Sequence, residues 1–249
     1  MTKPLIGIVS NRNYGQEDRP FTQVTSFTEL IMEQVYNNGG IPAGVLFPYG
    51  IYDNEYLEEY DGFVFPGGSR IELCQLLALR QAILDRKPVL GICNGMQTMG
   101  CLEFYSSIFD VNAPDFEQKI ASIFDYTGED AYLKMVPDHN KENPFYMSSI
   151  DNTIDEVYLD QDSMISKLIG EDVISGASLH DWACRERSFR TNNLFKVVGR
   201  TSDRIIEVVE SVDPNLFALG VQFHIELEND KYALFNRLVS ESKLVKKIK

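Results

Sequence analysis

At 249 residues with 44% hydrophobic side chains, the chain is long enough to bury a substantial core, and one domain over residues 1–249 is expected. Its formal charge of −14 leaves no basic patch to dominate the surface, which argues against nucleic acid or an anionic membrane as partner. Four cysteines (Cys74, Cys93, Cys101, Cys184) show neither metal-ligand spacing nor a secreted-type framework, and no apolar run reaches membrane-spanning length; a reduced, cytoplasmic protein without metal or cofactor is expected.

In chain order, residues 5–9 are apolar and read as the first strand, a run cut short by Asn11-Arg12-Asn13 and so unlike a signal peptide. Residues 26–36 carry Phe27, Leu30, Ile31 and Val35 at helical spacing, with Ser26 and Glu29 fitting a capping box. Gly39 closes that helix, and residues 41–47 and 62–65 are the next strands. Ser69 and Glu72 suggest a second capping box, opening a Leu-rich helix that ends near Arg86. Residues 88–92 form the strand that delivers Cys93. Strands alternating with helices imply a doubly wound, mostly parallel sheet with helices on both faces, whose sites lie at the carboxyl ends of strands. Cys93 and the pair Gly67-Gly68 both fall there. The second half changes character: residues 146–159, 173–180, 195–200 and 205–210 read as strands separated by one short helix at 163–169, an antiparallel β extension of the sheet. Residues 229–248 read as a final helix, its closing lysines suited to a helix C-terminus.

Two segments carry chemistry. In Gly91-Ile92-Cys93-Asn94-Gly95 a cysteine sits between glycines at minus two and plus two, the pattern of a strand-to-helix turn that pushes a nucleophile out above a sheet. The turn leaves no room for Cβ atoms beside it, and the N-terminus of the following helix favours a thiolate. A buried structural cysteine is the plainer reading, and the pattern needs a base. Near the C-terminus Phe223-His224-Ile225-Glu226 ends another apolar run; in an extended segment residues two apart share a side, so His224 and Glu226 would leave together as imidazole and orienting carboxylate. The other histidines are His139, in a polar stretch that reads as a surface loop, and His180.

Gly-Ile-Cys-Asn-Gly-Met-Gln at 91–97 and Gly-Val-Gln-Phe-His-Ile-Glu at 220–226 resemble the signatures of class I glutamine amidotransferases, a flavodoxin-like fold. The stretches at 4–10, 38–42 and 61–68 resemble the γ-glutamyl-γ-aminobutyrate hydrolase branch, also called peptidase C26, while residues 105–170 match it poorly. The resemblance implies Cys93, His224 and Glu226 as the catalytic triad and the N–H groups of Gly68 and Asn94 as the oxyanion hole. It also implies Gly67, Gln97, Ser178, Leu179 and His180 as substrate-binding residues, with no metal and no cofactor. The chain departs from the family pattern at Ala177, at Asp181-Trp182 and at Ile225, which leaves the amine side of the substrate open; Trp182 would floor a leaving-group pocket or belong to the core. Three functions compete. A free-standing hydrolase of small γ-glutamyl amides, working through a glutamyl thioester, leads. A glutaminase feeding ammonia to a separate synthetase partner is the alternative, and a binding protein without turnover is disfavoured by the intact triad. A homodimer stays open.

Overall fold

Side chains along a strand alternate between its two faces, and that alternation sorts this chain into layers. Phe63 and Phe65 enter one apolar cluster while Val64, between them, enters another; Val89 joins the first, and Leu90 and Ile92 the second. The computed structural model describes residues 2–13, 24–26, 28–47, 52–139 and 154–246. Its strands are β1 (Leu5–Val9), β2 (Asn11–Asn13), β3 (Val24–Ser26), β4 (Ile41–Val45), β5 (Gly62–Phe65), β6 (Val89–Ile92), β7 (Leu133–Met135), β8 (Ile154–Leu159), β9 (Val173–Ala177), β10 (Trp182–Cys184), β11 (Phe195–Arg200), β12 (Ile206–Ser211) and β13 (Ala218–Val221). Its helices are α1 (Glu29–Asn37), α2 (Asn54–Leu57), α3 (Leu73–Leu84), α4 (Asn94–Ser106), α5 (Phe116–Thr127), α6 (Met164–Ile169) and α7 (Leu234–Lys246).

Nine strands form one sheet in the order β4-β1-β5-β6-β13-β12-β11-β8-β9. The first five run parallel. Counted among themselves they follow the order 2-1-3-4-5 of flavodoxin-like folds. From β13 outward every pairing is antiparallel. The expected α/β class and its antiparallel extension are therefore both present. On one face, Leu76 and Leu79 of α3, Met96 and Met99 of α4 and Phe116 of α5 meet the sheet. On the other, Ile31 of α1, Ile165 of α6 and Phe235 and Leu238 of α7 do so. Each of these large side chains contributes about 1.5–3 kcal/mol by leaving water. No described helix is long and apolar enough to cross a membrane.

Several boundaries differ from the sequence expectation. Helix α1 opens at Glu29 behind Thr28, not at Ser26, and the side chains of Ser26 and Phe27 lie outside the described residues. Helix α3 begins a turn later than Ser69 suggests. Residues 69–71 remain a loop beside the glycine pair, and the box is closed by Glu72 and Gln75, with the Glu72 N–H donating to Gln75 Oε1 at 3.2 Å. The expected strand over 146–159 is seen from Ile154, its earlier part lying outside the described residues. Helix α7 starts at Leu234 because Asn229, Asp230 and Ala233 take left-handed backbone conformations (φ 53°, 54° and 55°) that a helix cannot include. Helix α5 and the β7–β10 pair were not foreseen.

One contact positions the site. A Cβ at Gly95 would lie 2.0 Å from the carbonyl oxygen of Phe65, so α4 packs against β5 only because that residue is glycine. Gly95→Ala is expected to cost about 1–3 kcal/mol, the ordinary penalty of overpacking, because backbone blocks the methyl. A thermal or urea unfolding midpoint equal to that of the wild type contradicts this packing.

Candidate active site

Strand β6 ends in Ile92 and α4 begins at Asn94, so Cys93 alone makes the turn between them. It does so at φ 51° and ψ −108°, a conformation that costs a non-glycine residue about 1–3 kcal/mol and that surrounding packing must impose. The flanking glycines impose it. A Cβ at Gly91 would stand 2.9 Å from the carbonyl carbon of Gly95, and the Cys93 N–H is held by the Val221 carbonyl of β13 at 2.8 Å. The Cys93 side chain remains 7% exposed at the mouth of this turn.

The neighbouring strand β13 brings the imidazole. After Val221 the chain runs through Gln222 and Phe223 to His224, which precedes a 3₁₀ turn over Ile225–Glu228. The expected extended His-x-Glu segment is thus corrected: the tight turn, rather than strand alternation, sets the pair. The two side chains still meet, with His224 Nδ1 2.7 Å from Glu226 Oε1. Glu226 is buried, and its Oε2 accepts no hydrogen bond among the described residues, so His224 is the main partner of its charge. The loop after β5 closes the third side. A Cβ at Gly67 would lie 2.9 Å from His224 Cε1 and 3.5 Å from Cys93 Cβ, which puts sulfur and imidazole side by side with this glycine between them.

Electrostatics mark the pair. Burial alone lowers the pKa of His224, but the charges of Glu226 and Cys93 and hydrogen bonds to both outweigh it and hold the imidazole well above its ordinary value. Two other thiols lie fully buried in the core. Burial pushes Cys184 up to about 12 and raises Cys101 well above the usual thiol range. Cys74 and Cys101 are core residues, as their apolar surroundings suggest. The arrangement therefore offers one thiol beside an imidazole backed by a carboxylate, which suits nucleophilic attack on a carbonyl.

The remaining expected site residues divide. Gly67 borders the thiol–imidazole pair, and Gly68 follows it on the exposed rim of the same loop. Asn94 opens α4, where the first backbone N–H groups have no carbonyl within the helix. Gln97 lies in the right turn of α4, but its Nε2 donates to the Trp182 carbonyl at 2.7 Å and to Gln222 Oε1 at 3.3 Å. Those two bonds use both its amide hydrogens, so the side chain ties α4 to β10 and offers a ligand no free donor. Ser178 and His180 follow on the segment after β9. Both are fully buried and turned toward His139, and only Leu179 between them is half-exposed. The backbone of that segment stays close to the site, since Ala177 O accepts from the His224 N–H at 3.0 Å. Trp182 packs partly buried against the core. His139, read from sequence as a surface loop residue, is buried with 5% exposure. Its burial and its carboxylate neighbours were not legible, because they come from segments far apart in the chain.

The chain is similar to known proteins in sequence and in fold. A family model described as Peptidase C26 matches residues 72–226. A glutamine amidotransferase-like protein of Rickettsia prowazekii is 25% identical over 98% of this chain and 99% of its own length. CTP synthase of Buchnera aphidicola is 23% identical over 87% of this chain, which spans only 43% of that enzyme. Among solved structures, the glutaminase domain of Trypanosoma brucei CTP synthase superposes with a TM-score of 0.67 at 16% identity, covering 97% of this chain and 94% of that one, a likeness of fold.

Glu226→Gln is expected to lower the pH at which His224 loses its proton, measured by NMR titration of the imidazole. Since the folded-state pKa of His224 is raised above its unfolded value of about 6.5, the pairing stabilises the fold fully below that pH and progressively less as pH rises through the folded value. The stability gap between wild type and variant should therefore narrow at alkaline pH, and a gap that widens there contradicts the assignment.

Proposed function

The chain belongs to the peptidase C26 family of class I glutamine amidotransferase-like hydrolases, and from that premise we propose that it hydrolyses the γ-glutamyl amide bond of a small γ-glutamyl-amine conjugate. The observation that carries the reading is His224 beside Cys93 across Gly67, with its Nδ1 held by Glu226 at 2.7 Å. Cys93 sulfur attacks the carboxamide carbon, its proton residing on His224. The N–H groups of Gly68 and Asn94 receive the oxyanion, and losing one such donor costs about 3–4 kcal/mol of barrier. The C–N bond breaks as His224 gives its proton to the departing amine, leaving a glutamyl thioester on Cys93. Water then attacks that carbon with His224 as base, the C–S bond breaks, and glutamate leaves. Glu226 keeps the ring oriented and stabilises its charged form throughout. The continuous nine-stranded sheet supports reading residues 1–249 as one domain.

A second reading draws on the similarity to CTP synthase, of which this chain spans 43%. On that reading the same thioester chemistry releases ammonia from glutamine for a synthetase on a separate chain.

The test is product analysis by mass spectrometry of a panel of γ-glutamyl amines and glutamine, with detection of a glutamyl adduct on the intact protein. The hydrolase reading expects a γ-glutamyl amine to be split faster than glutamine by the protein alone, with the adduct lost and kcat reduced by about 10³-fold or more in Cys93→Ser. Silence toward every amine, with glutamine turned over only when a synthetase is added, favours the second reading. Full activity in Cys93→Ser removes both.

A further inference from the structure

One strand away from the thiol, the antiparallel half of the sheet encloses a second polar cluster. His139 comes from a 3₁₀ turn after β7, Asp155 from β8, His180 from the segment after β9, and Glu207 from β12. His139, His180 and Glu207 are 5%, 4% and 1% exposed. His180 Nε2 lies 3.3 Å from Glu207 Oε1, and His139 Nδ1 lies 3.3 Å from Asp155 Oδ2 and 3.9 Å from Glu207 Oε1. The ligating atoms of His139, His180 and Glu207 all fall within 4.8 Å of one another.

The outer nitrogen of each ring decides what the inner one can be. His180 Nδ1 is 3.1 Å from the Trp182 carbonyl oxygen, which only accepts, so that nitrogen carries a hydrogen. His139 Nε2 is 3.0 Å from Asp203 Oδ2, again an acceptor, so it too carries one. In neutral rings the inner nitrogens, His180 Nε2 and His139 Nδ1, are then lone pairs. They face the carboxylate of Glu207, and His139 faces that of Asp155 as well. Ser178 Oγ spends its hydrogen on the His139 carbonyl at 2.8 Å, so it brings another acceptor. Neither oxygen of Glu207 has a well-aligned hydrogen bond among the described residues. A cation between the two lone pairs and the Glu207 carboxylate would join them.

We propose that His139, His180 and Glu207 form a buried binding site for a divalent cation, with zinc the ion that fits and Asp155 beside it. His180 Nε2 and His139 Nδ1 lie 3.3 and 3.9 Å from Glu207 Oε1, near the edge of about 3.3–3.5 Å of a tetrahedron with nitrogen and oxygen ligands at about 2.0–2.2 Å. A 2+ ion balances the two carboxylates. Asp203 and the Trp182 carbonyl take the place of the outer-shell acceptors that orient metal-bound imidazoles. With all three of its ligands buried, such an ion would hold structure. What it holds is the segment from Ala177 to Trp182. Ala177 O accepts from His224 N–H, and Trp182 O accepts from both Gln97 and His180, so the ion would fix the wall behind His224 and α4.

The test uses zinc alone and is independent of any hydrolase activity. Metal-stripped full-length protein is mixed with stoichiometric Zn²⁺, desalted and analysed by elemental mass spectrometry; Co²⁺ serves as a spectroscopic stand-in. About one ion per chain is expected, with the intense visible absorption of tetrahedral cobalt. Because a thiol–imidazole pair can also bind zinc, the same stoichiometry and spectrum must survive in Cys93→Ser. Glu207→Gln should abolish retention. Asp203→Asn, at a 57% exposed side chain that folding tolerates, should weaken affinity by about 10–100-fold. Failure to retain zinc, loss of the cobalt spectrum in Cys93→Ser, or metal-free protein in which both imidazoles are doubly protonated by NMR overturns the proposal.

Discussion

The approach of Gly95 to the carbonyl of Phe65 is the constraint on which the site depends. It lets α4 press against β5 and β6, so the chain must reverse from strand to helix within one residue. Cys93 is that residue, held with φ of 51° by hydrogen bonding to β13 and by glycines on either side. Strain of this kind survives only where packing leaves no alternative. The consequence is chemical: the sulfur projects from the end of β6 toward the ends of β5 and β13, where Gly67 and His224 stand.

Beyond that turn, charge governs the site. Four thiols lie buried in this protein, yet three are surrounded by core and one faces an imidazole. The imidazole keeps its proton against desolvation because a buried carboxylate with almost no other partner lies 2.7 Å from its far nitrogen. The same logic governs the second cluster. There two buried imidazoles face the buried carboxylate of Glu207, and the proposed cation would join them. Both clusters share a wall. The segment from Ala177 to Trp182 gives one carbonyl to His224 and another to Gln97 and His180, so order in the buried cluster becomes order beside the thiol.

Local chemistry was legible. The glycine spacing around Cys93, the apolar runs of β1, β5 and β6 and the pairing of His224 with Glu226 all follow from short stretches of chain. Boundaries were less so. Ser69 looked like a cap, but the glycine loop has to travel further before α3 can start, and Glu72 takes the role. The extended His-x-Glu geometry was wrong in form and right in outcome, since a 3₁₀ turn also brings positions two apart together here. Ser178 and His180 matched a family strand, yet which side of that strand faces the pocket depends on what lies beneath it.

What the sequence determined by itself was the parallel half of the fold and the thiol and imidazole of the candidate site, because period-two hydrophobicity and a glycine-flanked cysteine act over a few residues. Only the tertiary structure decided where His139, His180 and Glu207 point and what surrounds them. Those residues come from a 3₁₀ turn, the end of an antiparallel strand and the sheet interior. Burial and lone-pair direction arise from packing between distant segments, and no spacing along the chain encodes them.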